Sequence, residues 1–217
     1  MCFSAASSFS AGGILLAIGV VSIKNAKTAT LRLFAAIPLI FAVQQLAEGA
    51  LWLILSNADL VRWCRIPAYI FLIFAQVVWP LWVPLSVTLI EKNKTRKKIL
   101  YFLFSIGVAL SLYLGYSLFI SPMQIGIQGY HIHYDLDFPF ANSRSVGILY
   151  FMPTVVSLLV SSDKNVRLLG VIIFISYIVT WFFFTNYILS VWCFFSAIIS
   201  SMILYIVKQM RISAKSV

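Results

Sequence analysis

Seven apolar runs of roughly 15–25 residues, parted by short polar stretches, leave this chain no way to fold in water. They cover 3–23, 33–55, 66–90, 99–120, 146–160, 168–187 and 188–207. About 20 apolar residues are what a helix needs to cross hydrocarbon, and a helix satisfies its own backbone there. Composition agrees: at 62% hydrophobic and 10% charged, the chain lacks the polar surface that a water-soluble fold of this size would need. The expectation is therefore one all-α integral membrane domain over 1–217, a seven-transmembrane-helix bundle whose partner is the lipid bilayer of the cell membrane. The fifth run is the shortest, and only Thr185-Asn186-Tyr187 can turn the chain between the last two. Pro38, Pro80, Pro84 and Pro153 lie inside runs and predict kinks, because each removes a backbone donor and crowds the turn before it.

The basic residues set the expected orientation. Lys24, Lys27 and Arg32 follow the first run; Lys92, Lys94, Arg96, Lys97 and Lys98 follow the third. Lys164 and Arg167 follow the fifth, and Lys208, Arg211 and Lys215 follow the seventh. Only Arg62, Arg65 and Arg144 of the 16 fall on the opposite side. Positively charged loops stay in the cytoplasm, so the N-terminus is expected outside and the C-terminus inside. The start Met1-Cys2-Phe3-Ser4 has no positive charge ahead of its apolar stretch, so the first helix itself is the expected export signal. A net charge of +10 raises nucleic acid as a partner, but the charges lie in short clusters between apolar runs with no continuous basic stripe. Nucleic-acid binding is excluded on that ground.

Glu48 is the only acidic residue deep inside a run, in the half of the second helix nearer the outside. A carboxylate there costs about 2.5–3.5 kcal/mol on insertion scales, so it should face the bundle interior or a wet cavity. Gln44 stands four residues before it and Trp52 four after, on one helix face, and Gln45 widens the polar stripe. Gln76, with Trp79 and Pro80 beside it, is a candidate partner from the third helix; Trp192-Cys193 lies near the outer end of the last, where a tryptophan is ordinarily an interface anchor. Two readings stand: a buried polar network that fixes helix packing, or a ligand, ion or proton site.

Between the fourth and fifth runs, residues 130–138 read Tyr-His-Ile-His-Tyr-Asp-Leu-Asp-Phe. Strict alternation predicts a strand with His131, His133, Asp135 and Asp137 on one face and apolar residues on the other. With Gln128-Gly129 as a turn and 124–127 as its partner, it forms a small β-hairpin over the outer mouth of the bundle. His131 and His133, with Asp135, have spacing suited to a divalent metal such as zinc; the bland alternative is the wet face of an amphipathic hairpin. Cys2, Cys64 and Cys193 all fall toward the outer side, where two of them could pair in an oxidising compartment.

Met1-Cys2-Phe3-Ser4-Ala5, Gln44-Gln45-Leu46-Ala47-Glu48-Gly49 with Trp52, Gln76 with Trp79-Pro80, His131-Ile132-His133-Tyr134, and Trp192-Cys193-Phe194-Phe195 together resemble a family of uncharacterised prokaryotic multi-pass membrane proteins. The resemblance spans nearly the whole chain. It implies that these segments belong together and supplies no activity, since the family has none assigned.

Several familiar seven-helix chemistries lose ground on residue grounds. A retinal protein needs a lysine within its last helix, and run 188–207 has none. A bis-histidine haem needs histidines inside spans, and the only two histidines lie in the loop. Membrane hydrolases related to alkaline ceramidases use several histidines, some on the final helix, which this chain lacks. Three readings remain. The first is an outward-facing polar pocket floored by Glu48, Gln44 and Gln76 that binds or transports a small molecule or ion. The second is a metal-dependent, hydrolase-like enzyme at the outer leaflet, with Glu48 as acid or base. The third is a structural membrane subunit.

Overall fold

The computed structural model describes residues 4–137, 144–184 and 187–213. Six helices are long and apolar enough to cross a membrane, and a shorter apolar helix, Val146–Val160, lies among them. In chain order they are α1 (Ala5–Asn25), α2 (Ala29–Leu55), α3 (Val61–Ile90), α4 (Lys94–Ile120), the short α5 (Val146–Val160), α6 (Lys164–Phe183) and α7, which runs Ile188–Ser200 and resumes after Ser201 as Met202–Ser213. Polar residues set several starts earlier than the apolar runs suggest. The side chains of Asn93 and Asp163 accept from the first backbone N–H groups of α4 and α6, so both helices begin among charged residues. Thr28 does the same for α2. The turn expected at Thr185-Asn186-Tyr187 falls largely outside the described residues. On its flanks, the Tyr187 N–H bonds the Phe184 carbonyl at 2.9 Å.

Three of the four prolines expected to disturb a helix coincide with a break or a π-helical stretch, whereas Pro84 lies within the regular helix Trp79–Ile90. Donors from neighbouring helices reach several carbonyls nearby. Ahead of Pro38, α2 breaks at Ala36, and the indole of Trp82 donates to the Leu33 carbonyl at 2.9 Å. Ahead of Pro80, α3 widens into a π-helical stretch over Ile73–Val78. There the Tyr150 hydroxyl donates to the Ala75 carbonyl, and the Ser111 hydroxyl to Val77 at 2.8 Å. A second π-helical stretch, Met152–Val156, surrounds Pro153 in α5. Pro84 removes the donor that the Pro80 carbonyl would have used, and α4 meets that oxygen with Gly107, where a Cβ would sit 2.0 Å away.

β1 (Met123–Gln128) and β2 (His131–Leu136) pair antiparallel, with Gln128 opposite His131 and Met123 opposite Leu136. The two-residue connection opens on Gly129 at φ 61°, a conformation that favours glycine. The expected alternation holds: Ile132 and Tyr134 are buried, while Asp135 is exposed. Tyr134 stacks on Phe71 at 5.1 Å, and both strand residues join a cluster with Leu51, Trp52 and Leu118. The hairpin thereby roofs one end of the bundle.

The basic connections gather at the other end. Arg96, at the start of α4, donates to the carbonyls of Val160 and Ser161 after α5, at 2.8 and 2.9 Å. Arg211, late in α7, donates to Asn25 after α1 at 2.7 Å. Of the long helices, α2, α3 and α7 are the most enclosed by the protein, whereas α1 and α6 give most of their surface to their surroundings.

Candidate functional site

The polar residues of α2 recur at one-turn spacing, so they share a face, and that face turns inward. Gln44, Gln45 and Glu48 are all fully buried. From α3, the Trp79 indole donates to Gln44 Oε1 at 2.8 Å. From α7, the Ser190 hydroxyl donates to Glu48 Oε1 at 2.5 Å. Cys193, three residues further along α7, lies against Gln44 and close to Glu48. Three helices distant in sequence thus meet in one polar layer. The sequence singled out Gln44, Glu48, Trp79 and Cys193; it missed Ser190, because a serine within an apolar run carries no sign of its partner.

The layer is not self-sufficient. Among the described residues, both amide atoms of Gln45, the Gln76 Oε1, the Trp52 Nε1 and the Trp192 Nε1 are buried with no hydrogen-bond partner. Each such group costs about 1–3 kcal/mol against its solvated state. Gln76, a candidate partner for Glu48, has its Oε1 without a hydrogen bond among the described residues, while Glu48 Oε1 accepts from Ser190.

A cavity of about 50 Å³ adjoins the layer, lined by residues of α2, α3, α5, α6 and α7. Its walls are aromatic and aliphatic: Phe41 stacks on Trp79 at 3.9 Å, and Trp192 stands edge-on to Tyr150 at 5.8 Å. Tyr177 flanks Trp192 from α6 at 5.1 Å. Trp79 and Cys193 line the cavity and also touch the polar residues, so the two spaces share a wall.

The model of a family of unknown function, DUF6629, matches residues 1–217. The chain belongs to the DUF6629 family. No curated protein and no solved structure matches it. DUF6629 membership assigns no chemistry, so the chemistry has to be read from the side chains.

The hairpin histidines of this DUF6629 chain pack as aromatic rings. His131 stacks on Tyr187 at 4.4 Å, with Phe184 edge-on at 5.7 Å, and His133 meets Tyr187 edge-on at 6.2 Å. Burial holds the His131 imidazole below its ordinary pKa, which favours the neutral ring. Asp135 is exposed, and among the described residues no group of three or more His, Cys, Asp or Glu side chains comes together that could hold a metal. Cys64 and Cys193 are free thiols, and Cys2 lies outside the described residues.

The DUF6629 fold also holds an acidic group that the sequence did not single out. Glu91, at the end of α3, is 4% exposed. It accepts from the Asn93 N–H at 2.8 Å, from the Ser162 N–H at 2.7 Å and from the Ser162 hydroxyl at 2.6 Å. Burial pushes its carboxyl up, but hydrogen bonds from the Ser162 hydroxyl and from the backbone of Ser162, Asn93 and Lys92 outweigh that and hold it below its ordinary value. Arg167 adds bonds to the carbonyls of Ser161 and Ser162, both at 3.0 Å.

Proposed function

We propose that this chain is a multi-pass protein of the cell membrane whose polar layer around Glu48 binds or transports a small molecule or ion, entering from the hairpin side. The observation that carries this reading is the layer itself. Glu48, Gln44 and Gln45 are fully buried on one helix, reached by Trp79 and Ser190 from two others, and Gln45 has neither amide atom bonded. A network that served only packing would be expected to close on itself, since half-satisfied polar cores are worse than apolar ones. Ionisable groups inside membrane spans mark pathways and sites by default. The adjoining aromatic cavity supports a guest with an apolar part.

Sidedness follows the basic residues, with the N-terminus outside and the hairpin at the outer mouth. The contacts of Arg96 with 160–161 and of Arg211 with Asn25 support it, because they draw the four basic connections toward one end. They also support seven crossings. The start of α4 and the end of α5 meet at that end, so α5 returns across the bundle despite its length. The enzyme reading gains nothing from the hairpin, whose histidines are engaged with Tyr187.

The test is a thermal-shift panel of purified protein in detergent, run against monovalent and divalent cations, small organic acids and amines. A shift with at least one compound is expected for the wild type. Glu48→Gln keeps the shape and most of the hydrogen bonding, so it should melt near the wild type and lose that shift. Glu48→Leu should lower stability as well, by leaving Ser190 without its acceptor. Full retention of the shift by Glu48→Gln would show that the carboxylate is not the binding group.

A further inference from the structure

The cavity beside the polar layer is long for its volume. Its wall follows α7 from Trp192 to Ile203, about 16 Å at the helical rise of 1.5 Å per residue. Toward the basic end its lining reaches Leu158, Leu169 and Ile203, each almost fully buried. These three aliphatic side chains form the floor of a shaft that runs from the Glu48 layer toward the basic end. Two of them belong to long helices. The third, Leu158, sits in the last turn of α5.

That turn is secured from outside its own helix. Arg96 grips the carbonyls of Val160 and Ser161, Arg167 those of Ser161 and Ser162, and the Glu91 carboxylate holds Ser162 through both its N–H and its hydroxyl. Opening the turn breaks these rim bonds and parts Leu158 from its neighbours on α6 and α7. Upstream, α5 has a built-in weak point: the π-helical stretch Met152–Val156 with Pro153 inside it. Above that stretch, Tyr150 ties the helix to the Ala75 carbonyl of α3. The outer half of α5 is thus anchored to α3, while its inner turn, beyond an irregular segment, is held by these polar contacts and by packing on α6, where a Cβ on Gly170 would lie 2.8 Å from Leu158 Cβ.

We infer that the inner turn of α5 is the gate at the basic end of the shaft, and that Glu91 with Ser162 is the latch that keeps it shut. This rests on the reading of the Glu48 layer as a binding or transport site, and it gives that site its second exit. Opening moves Leu158 off the floor and joins the shaft to the cytoplasmic side, while the hairpin side is unaffected. Short irregular stretches and prolines are where such rigid-body swings are absorbed.

The experiment asks whether a reagent can reach the shaft. Ser200 lines it near the floor, so Ser200→Cys is probed with a charged, membrane-impermeant thiol reagent. It is applied to vesicles with the basic end outward and, separately, to vesicles of the opposite orientation. Labelling of position 200 is read by peptide mass spectrometry, which leaves the native cysteines in place. With the latch intact, labelling from the basic end should be slow. Adding Glu91→Gln should raise it roughly tenfold or more, the ratio expected when a charge-assisted bond leaves a two-state equilibrium. Labelling from the opposite face should not change. Ser162→Ala, which removes one bond and keeps the turn, should shift the rate the same way by less, and it carries the test should Glu91→Gln fail to fold. An unchanged rate in the folded latch variants, or an equal rise from both faces, overturns the gate. The readout needs no ligand, so it is separate from the Glu48 test. Loss of the gate would leave a ligand shift at Glu48 standing, and loss of the ligand shift would leave the labelling result standing.

Discussion

Tyr150 supplies from α5 a hydrogen bond that the proline-disrupted ladder of α3 cannot. Pro80 has no N–H, the ladder before it widens, and the Tyr150 hydroxyl donates to the Ala75 carbonyl left in that stretch. Tyr150→Phe keeps the ring against Trp192 but strands a buried carbonyl, and should lower unfolding free energy by about 1–3 kcal/mol. Thermal or denaturant unfolding in detergent would measure it, and an unchanged melting curve would mean that the oxygen finds another donor. Glu91 makes a different prediction. Its folded pKa lies below the ordinary 4.5, so it contributes stability that is complete above that value. The contribution drains as pH falls through the lowered folded pKa, because the unfolded chain then binds the extra proton. Glu91→Gln should therefore flatten the loss of stability below about pH 4.5 and leave a lower plateau at neutral pH. At this scale the sequence was readable where a residue is conspicuous in hydrocarbon, as Glu48, Gln44 and Gln45 are. It was unreadable at Ser190, Ser111 and Tyr150, whose partners are set by other helices, and at Glu91, whose burial depends on a loop 71 residues away.

Elements tell a more legible story, because periodicity and proline act locally. The alternation predicted the hairpin and which face of 131–136 it buries, though Tyr130, expected on that face, is exposed in the turn and Phe138 lies outside the described residues. Three of the four prolines predicted where helices are disturbed, Pro84 lying within regular helix. The π-helical form of those disturbances had no sequence signal, since it depends on which neighbour can meet the loosened carbonyls. The close approach of α4 to α3 was equally hidden. A Cβ on Gly107 would lie 2.0 Å from the Pro80 oxygen and 3.2 Å from Pro153 Cβ, so α3, α4 and α5 converge there. Gly107→Ala must push backbone against backbone and should cost about 1–3 kcal/mol, the usual range for overpacking, whereas Gly13→Ala, in open space, should be neutral or stabilising. Equal melting temperatures for the two variants would contradict the packing. In the hairpin, the rings of His131 and His133 pack on Tyr187. Zinc or a chelator should then leave melting unchanged, since a ligand stabilises only when it binds the native state. Tyr187→Ala should lower melting by removing the shared ring.

For the whole molecule the question is which end faces the cytoplasm, and α5 makes that a stringent test. At 15 residues it is about 22 Å long, less than the roughly 30 Å hydrocarbon core. A crossing that short has to borrow thickness from polar flanks or from neighbours that shield it. Were α5 to fail to cross, everything after it would change sides, and Lys164, Arg167, Lys208 and Arg211 would stand opposite Lys92–Lys98. The structure contains contacts that resist this: Arg96 reaches 160–161, and Arg211 reaches Asn25. A reporter active only in the cytoplasm should therefore be active when fused after Val217 and silent when inserted between Gln128 and His131. A third fusion, at Ser162, isolates α5, since it should be active only if α5 crosses. Activity at Ser162 and Val217 with silence at the hairpin establishes seven crossings with the Glu48 layer nearer the outside. Silence at Ser162 and Val217 together would leave six crossings, put Ser162 and Arg211 on the outer face opposite Glu91, and remove both the latch and the cytoplasmic exit assigned to the shaft.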